Sequence, residues 1–174
     1  MSSPRDRRID EDINRLRRLR DEHADLVQKI SVSGNPVSLI RVTLGVPTAG
    51  DQRYPVAIQD SSRVQIELLS GYPLVEPKVS SLCNIWNPNV FPSGLVCLGR
   101  KWIATEGLDL LVLRVLRLLA FDPSVINTAS PANREASNWY VEAKRRHPNA
   151  FPTIQLDRLL TVQHKPSIQW KNIV

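Results

Sequence analysis

The chain has 174 residues and a formal net charge of +6, and its 42% hydrophobic and 23% charged residues are typical of a globular protein rather than a fibrous or disordered one. This length predicts one domain that buries about 70% of its unfolded surface without disulfides or metals. The N-terminal segment has no apolar centre, and no uncharged apolar run of about 18 residues occurs, so we expect a cytoplasmic protein without membrane contact.

The excess positive charge lies mostly near the C-terminus. Residues 141–174 hold six Lys or Arg against two acidic residues, whereas residues 1–30 hold eight against seven. No zinc-finger spacing and no Gly-rich or aromatic RNA-binding motif accompanies this charge, so we expect no nucleic-acid partner. The two cysteines, Cys83 and Cys97, are expected to be reduced thiols, and with the scattered histidines they match no metal-ligand spacing. We expect neither a metal nor a cofactor.

The first predicted element is one long helix over residues 9–30. Its apolar residues recur at spacings of three, four or seven, along one helical face, and arginines occupy mostly the other faces. The apolar positions are Ile9, Ile13, Leu16, Leu19, Leu26, Val27 and Ile30. Gly34 and Pro36 then discourage continuation.

The next part of the chain, residues 37–85, changes to a period of two and is rich in β-branched residues. We predict four strands in an antiparallel meander, within residues 37–44, 54–58, 64–68 and 79–85. Gly71, Pro73 and Pro77 interrupt this pattern between the last two strands.

The C-terminal half is predicted to be helical. Residues 108–121 are apolar on nearly every side and indicate a central helix buried against the sheet. A later helix begins at Ser130 as cap with Pro131 in its first position and ends before Pro148. A weak signal for a short helix follows at residues 155–160. The fold class is therefore α+β.

The stretch NPNVFPSGLVCLG, residues 87–99, is the most informative part of the chain. It places Cys97 after a Pro- and Gly-rich turn, eight residues beyond Asn89. A buried thiol needs no such turn, which favours a backbone bent to present Cys97 to a partner. A small buried hydrophobe remains the alternative, since most free cysteines are buried.

Four motifs and the order of the elements resemble the ubiquitin-conjugating enzyme (E2) family. GYPLVEPKV is similar to its Tyr-Pro-x-x-x-Pro-Lys-Val turn, NPNV to its His-Pro-Asn tripeptide, and SGLVCLG to the segment carrying its active cysteine. FDP followed by SPANREAS resembles the end of its central helix and the opening of its next one. The strong match covers residues 64–148. We expect a catalytic domain over residues 1–150 and a C-terminal extension over residues 151–174.

The resemblance implies a transthioesterification. Cys97 would accept a ubiquitin-like protein from an E1-like activating enzyme and pass it to an amine, usually a lysine, of a protein substrate. Another class of function is a catalytically silent module of the same fold that only binds a ubiquitin-like protein or the activating enzyme. A papain-like hydrolase would need a histidine paired with Cys97, and His23, His147 and His164 lie in no recognisable motif.

The resemblance also implies roles for two further residues of the site. Asn89 would donate its amide N–H to the oxyanion formed during transfer, or would instead bond the backbone of its own turn. Ser130 would help to orient or deprotonate the incoming lysine, although helix capping explains a Ser before Pro as well and is the favoured role. Tyr72 and Trp102 could wall the cleft or pack in the core, and aromatic residues in such positions more often pack in the core.

Departures from the family pattern bear on the partners. Asn87 replaces the usual His, so an amide must take over its bonding, and Gly99 replaces the Asp that commonly follows Cys-Leu. Leu74 replaces a Phe, and the loop after Trp102 lacks Ser-Pro-Ala. Because these two loops form the usual surface for RING-type ligases, the departures argue against such a ligase. They favour a divergent pathway, such as the bacterial ubiquitin-like operons.

The family's activating enzyme docks on the first helix. Arg15, Arg17 and Arg18 are therefore candidates for an acidic surface of that enzyme. A charge-rich helix face is more often simply solvated, and that explanation stays open.

Overall fold

The structure, a computed structural model, describes residues 3–161 as one helix followed by a four-stranded sheet and then by further helices. The helices are α1 (Pro4–Glu22), α2 (Leu108–Leu119), α3 (Arg134–Arg146) and α4 (Leu156–Thr161), with a 3-10 turn at Pro148–Ala150. The strands are β1 (Val27–Ser33), β2 (Leu39–Leu44), β3 (Ser62–Glu67) and β4 (Lys78–Ser81). This order confirms the predicted α+β class.

The sheet is an antiparallel meander in which β1, β2, β3 and β4 are neighbours in chain order. Opposite residues such as Ile40 and Ile66 stack their side chains on one face. Six apolar residues of that face are buried: Ile40, Val42, Leu44, Val64, Ile66 and Val79. Val32 of β1, which pairs with Ile40, is 38% exposed. The other face is polar, as the hydrogen bond from Arg41 to Gln65 shows. The apolar face of the sheet is therefore the one against which the helices can pack.

The first predicted helix is wrong beyond residue 22, where α1 ends. The carbonyl oxygen of His23 accepts hydrogen bonds from the backbone of Leu26 and Val27, which turns the chain into β1. Val27 then pairs with Leu44, and Ile30 pairs with Val42. The spacing of these apolar residues suits a helix and a strand equally, and pairing with β2 decides the outcome.

The predicted strand over residues 54–58 is also wrong. This segment is a turn, because the ring of Tyr54 is buried in an aromatic cluster and its hydroxyl donates to the carbonyl oxygen of Ala150 at 2.7 Å. Val56 is left 93% exposed. The meander thus has four strands, but β1 replaces the segment expected as the second.

The central helix is confirmed as α2, which is buried on most sides and contacts α1. Phe121 follows it in a left-handed conformation with φ of 56° and is fully buried. Its ring lies 5.4 Å from Tyr140 and 5.1 Å from Phe151. Within residues 3–161, no helix has both the length and the apolar character needed to cross a bilayer.

The predicted cap of α3 is wrong. Asn133, not Ser130, caps this helix, since its side-chain oxygen accepts from the backbone N–H of Ala136 at 3.0 Å. The backbone N–H of Asn133 also donates to the carbonyl oxygen of Pro88, which ties the helix start to the loop after β4. α3 ends before Pro148 and α4 follows as predicted. The rest of the predicted C-terminal extension, from residue 162 onward, lies outside the described residues.

Candidate active site

The long segment between β4 and α2, which carries Cys97, is shaped by a turn that folds back onto the sheet. Gly94 adopts φ of 86°, which favours glycine, and the backbone of Phe91 then bonds to that of Leu95. Val96 donates to the carbonyl oxygen of Val79 in β4. The chain therefore returns along β4 and reaches Cys97 directly after this contact.

Cys97 is partly exposed, and its backbone N–H donates to the carbonyl oxygen of Asn89 at 2.7 Å. It lines a shallow groove of about 600 Å³ together with Lys78, Asn127 and Ser130. The thiol is thus part of an open surface. The described structure does not place it in the hydrophobic core, which was the alternative interpretation of this cysteine.

Asn89 lies just beneath this groove and is 1% exposed. Its side-chain nitrogen donates to the carbonyl oxygens of Cys97, at 3.2 Å, and of Val125, at 3.1 Å. Its side-chain oxygen accepts from the backbone N–H of Asn127 at 2.9 Å. Both amide protons are therefore engaged, and the side chain joins the cysteine loop to the loop after α2.

Asn87 stands where the family pattern has a histidine. It is fully buried, and its side chain forms hydrogen bonds to two backbone groups. Its side-chain nitrogen donates to the carbonyl oxygen of Leu118 at 2.9 Å, and its oxygen accepts from the backbone N–H of Asn89 at 2.9 Å. A side-chain amide has a donor nitrogen and an acceptor oxygen, so it can stand in for a neutral imidazole, which has one donor and one acceptor nitrogen. Asn87 thereby fixes the loop against the end of α2.

Ser130 lies in the groove with Cys97 and is exposed. Its backbone N–H donates to the side-chain oxygen of Asn127 at 2.9 Å. Its hydroxyl forms no hydrogen bond within residues 3–161. The structure thus brings Cys97, Asn89 and Ser130 to one site, with the serine hydroxyl available on its rim.

The second cysteine and the histidines lie apart from the groove. The sulfur of Cys83 accepts from the backbone N–H of Arg63 at 3.4 Å, and neither cysteine is in a disulfide. His23 and His147 follow the last residues of α1 and α3, and neither lines the groove, whereas His164 lies outside the described residues. The described histidines give no support to a papain-like pair with Cys97.

Tyr72 and Trp102 pack in the core instead of walling the cleft. Their ring centroids are 6.1 Å apart, and the indole nitrogen of Trp102 donates to the carbonyl oxygen of Pro73 at 2.7 Å. This bond joins the loop after β3 to the loop before α2. Leu74, 83% exposed, and Ile103, 56% exposed, remain on the outside of these two joined loops.

A buried polar network that sequence reasoning missed lies between α1 and these loops. The hydroxyl of Tyr72 donates to the carboxylate of Asp12, which also binds the side chain of Arg8 at 2.6 Å. Arg8 donates further to the carbonyl oxygens of Ala104 and Glu106. Burial, with the bond to Asp12, raises the pKa of Tyr72 well above its usual value of 10.0. In the sequence, this network is indicated by Asp12, a charged residue on the otherwise apolar face of α1.

A second buried charge group adjoins this network at Glu106, whose carbonyl oxygen Arg8 binds. Glu106, 5% exposed, binds the side chains of Arg114 in α2 and of Arg100 in the cysteine loop, the latter at 3.1 Å. Arg114 is 8% exposed, although it occupies the middle of the most apolar helix. In the sequence, an arginine inside such an apolar helix indicates a buried charge pair, which the period of the apolar residues does not reveal.

The residues expected to contact partners are on the surface. Arg15, Arg17 and Arg18 are all exposed on α1, beside the buried Leu16 and Leu19. Together they place three positive charges on about one turn of helix.

The fold and the placement of Cys97 define a class of protein: an α+β domain that presents a thiol on the loop before its central helix. The family model described as "Ubiquitin-conjugating enzyme" matches residues 11–153. The chain belongs to that family, whose members named below are transferases of the conjugating type.

Relatives and a solved structure agree with this family. The chain is 34% identical over 88 residues to ubiquitin-conjugating enzyme E2 2 of Trichoderma harzianum, over 49% of this chain and 56% of that protein. The chain thus spans little more than half the length of that relative. It is 26% identical over 150 residues to the protein of the same name from Debaryomyces hansenii, over 84% of this chain and 82% of that one. These low identities make it a divergent member.

The solved structure of S. cerevisiae Ubc12 has the same fold. It superposes with a TM-score of 0.63 at 21% identity, over 86% of this chain and 78% of that one.

Proposed function

We propose that this protein is an E2-type conjugating enzyme that carries a ubiquitin-like protein as a thioester on Cys97. The Cys97 thiol attacks the thioester on an E1-like activating enzyme, the new sulfur–carbon bond forms, and the enzyme's own thiol leaves with the proton. An amine of a protein target then attacks the same carbonyl carbon, an amide forms, and the Cys97 thiol is released. The activating enzyme supplies the initial energy from ATP.

The observation that carries this proposal is the position of Cys97 on an open groove within the matched family domain. A thioester exchange replaces one sulfur by another and is nearly neutral in free energy, and a sulfur nucleophile needs less activation than a serine hydroxyl would. The groove gives an extended peptide tail access to the sulfur.

The roles of the two neighbouring residues follow from their bonds. Asn89 positions Cys97, because its amide holds the carbonyl oxygen of that residue and two backbone groups after α2. Donation to an oxyanion would require the amide to leave one of these oxygens, so the resting geometry supports positioning more directly. Ser130, with its exposed hydroxyl in the groove, orients the incoming amine.

The partners remain those that the family implies. The activating enzyme docks on the arginines of α1, namely Arg15, Arg17 and Arg18, and Leu74 contributes to a partner surface together with Ile103. The expectations against recognition by a RING-type ligase and for a bacterial pathway both stay predictions. The relatives named above are fungal proteins.

The division of the chain into a catalytic domain over residues 1–150 and an extension over residues 151–174 is part of the same proposal. Phe151 is buried and Thr153 donates from its backbone to the carbonyl oxygen of Ala120. The first residues of the extension therefore pack on the domain.

The test is a charging assay with two donors: ubiquitin plus ubiquitin-activating enzyme and ATP, and ubiquitin prepared as a C-terminal thioester of mercaptoethanesulfonate. We expect an adduct of one ubiquitin that a thiol reductant removes. Cys97→Ala should abolish it with both donors, and Cys83→Ala, the matched control, should retain it.

Absence of any adduct with the chemical thioester, on protein shown to be folded, would overturn the proposal. The silent binding module would then be favoured if ubiquitin still bound without covalent linkage. An adduct that persists in Cys97→Ala would assign the reaction to another residue.

A further inference from the structure

One wall of the Cys97 groove consists of the residues that follow the cysteine, and this wall has few bonds to the rest of the domain. The groove is lined there by Leu98, Gly99 and Arg100. Within residues 3–161, no backbone group of residues 98–102 takes part in a hydrogen bond. Because a segment without backbone hydrogen bonds opens locally at little cost, the position of this wall depends on its side chains.

Two side chains tie the wall to the domain. Trp102 binds the carbonyl oxygen of Pro73 through its indole nitrogen and fixes the end far from Cys97 in the sequence. Nearer to the cysteine, Nη2 of Arg100 pairs with Oε2 of Glu106 at 3.1 Å. This oxygen is buried and forms no aligned hydrogen bond in the described part of the chain, so the ion pair with Arg100 compensates its charge.

Glu106 is itself held by two helices. Its other carboxylate oxygen, Oε1, binds Nη2 of Arg114 in α2. Its backbone carbonyl oxygen accepts a hydrogen bond from Arg8 in α1 at 2.6 Å. The side chain of Glu106 is 3% exposed, whereas that of Arg100 is 59% exposed. The carboxylate is thus a fixed point in the interior, and Arg100 is the surface side chain that it holds.

Stability alone does not explain why Glu106 and Arg114 are buried together. Burying two charges removes their hydration, and apolar residues of similar volume often stabilise a core as well or better. The buried side of α2 is otherwise apolar, so an apolar residue at position 114 would suit it. The charged pair does what apolar residues cannot, because it presents a carboxylate to the guanidinium of Arg100 in the groove wall.

We propose that Glu106 is a positioning residue for acyl transfer at Cys97. Through Arg100 it holds the groove wall in the arrangement that an acyl donor requires at the sulfur, and it touches no substrate itself. Such alignment matters because a displacement of about 1 Å can cost about 100-fold in rate. This inference rests on the proposed thioester chemistry of Cys97 and adds a residue to it.

The test compares two reactions of the Cys97 thiol in a Cys83→Ala background. In the first, the thiol takes the acyl group of ubiquitin thioester and mercaptoethanesulfonate leaves with the proton. Intact-mass spectrometry gives the maximal rate constant at saturating thioester. In the second, iodoacetamide alkylates the sulfur and iodide leaves, which reports the reactivity of the sulfur without the groove. Each variant is compared at a temperature at which its melting curve shows the folded state.

Arg100→Gln should lower the maximal acylation rate about fivefold and leave alkylation unchanged. Its melting temperature should also stay the same, because the side chain is mostly exposed. Arg100→Lys should retain most of the rate, since it keeps the charge. Lys101→Gln is the matched control. It makes the same charge change at an exposed neighbour that lies outside the groove lining, and it should keep the full rate.

The decisive variant removes the carboxylate of Glu106 but keeps Arg100. Glu106→Gln alone should lower the melting temperature, because the guanidinium of Arg114 stays buried without its counter-charge. Combining it with Arg114→Gln removes both buried charges and leaves two amides that can bond to each other. We expect this double variant to melt near the background protein and to acylate about fivefold slower. Adding Arg100→Gln should cause no further loss, since both changes break the same pair.

An unchanged rate in Arg100→Gln, or an equal loss in Lys101→Gln, would overturn the proposal. A full rate in the double variant would overturn it too, because Arg100 would then act without Glu106, and so would a further loss on adding Arg100→Gln. An equal fall in alkylation would place the effect at the sulfur and not at the groove wall. Absence of acylation in the background protein would instead contradict the proposed function itself.

Discussion

The side-chain nitrogen of Asn89 lies 3.2 Å from the carbonyl oxygen of Cys97, and the backbone N–H of Cys97 lies 2.7 Å from the carbonyl oxygen of Asn89. The main chain of Cys97 is thus held by both the side chain and the main chain of Asn89. The thiol itself takes no part in these bonds and is left for chemistry. Asn89 therefore fixes the backbone that carries Cys97, the proposed nucleophile.

Replacing Asn89 by Ala should destabilise the loop and slow both steps of the reaction. The substitution leaves two carbonyl oxygens and one N–H without their partner, and each buried unsatisfied group costs about 1 to 3 kcal/mol. We expect a lower melting temperature and similar decreases in the rates of Cys97 acylation and of transfer to free lysine. A large loss in transfer alone, at unchanged melting temperature, would contradict positioning and would identify Asn89 as the oxyanion donor.

Replacing Ser130 should affect transfer without affecting acylation. Its hydroxyl is exposed and does not cap α3, so Ser130→Ala should leave stability within about 0.5 kcal/mol of the unchanged protein. We expect lysine discharge of a preformed Cys97 thioester to slow several-fold, and Ser130→Asp to restore or exceed the original rate. A lowered melting temperature in Ser130→Ala would instead indicate a structural role.

Asn87→Asp should be strongly destabilising, although it replaces only the side-chain NH2 group by an oxygen. The new carboxylate would face the carbonyl oxygen of Leu118 without a proton to donate, in a fully buried position. We expect a loss of about 2 to 4 kcal/mol at pH 7, measured by urea unfolding, and a partial recovery at lower pH as the carboxyl group becomes protonated. Equal stability of the two proteins at pH 7 would show that this bond is not required.

The stability of the protein should decrease at high pH through Tyr72. Burial and the bond to Asp12 raise its pKa, so above pH 10 the unfolded chain loses this proton while the folded chain keeps it. The unfolded state then binds fewer protons, and the free energy of unfolding falls as pH rises. Tyr72→Phe should flatten this dependence between pH 9.5 and 11, measured by urea unfolding. It should also cost about 1 to 3 kcal/mol at pH 7, because Asp12 loses a donor.

Tyr54→Phe is the control for that experiment. Burial also raises the pKa of Tyr54, but its hydroxyl donates to a backbone carbonyl and to no carboxylate. It should therefore flatten the pH dependence less than Tyr72→Phe. A larger effect at Tyr54 would contradict the importance of the Asp12 contact.

Reversing the charges of Arg15, Arg17 and Arg18 together to Glu should weaken docking of the activating enzyme. The three side chains are exposed, so the fold should tolerate the change. We expect enzymatic charging of Cys97 to decrease by tenfold or more at low salt, and charging from ubiquitin thioester to stay unchanged. If the enzymatic rate does not change either, these arginines are merely solvated.

Local chemistry explains which parts of the fold could be predicted. Three segments each have a period that suits only one secondary structure: the apolar face of residues 9–19, the almost wholly apolar α2 and the alternating β3. The spacing of apolar residues in 26–30 suits both a helix and a strand. Residues 54–58 have a strand-like composition, but they contain a tyrosine that is buried in the aromatic cluster. Ser130 and Asn133 are both good caps, and the bond between Asn133 and Pro88 decides between them.

The amino-acid sequence by itself determined that the thiol of Cys97 is presented, because the turn residues before it bend the backbone through their own conformational preferences. It also determined the family, because the motifs that identify the family are local. The tertiary structure alone decided which polar groups are buried together. Asp12 with Tyr72, and Arg8 with Ala104, join residues far apart in the chain. Their pairing depends on how α1, α2 and the loops pack, which no local pattern contains.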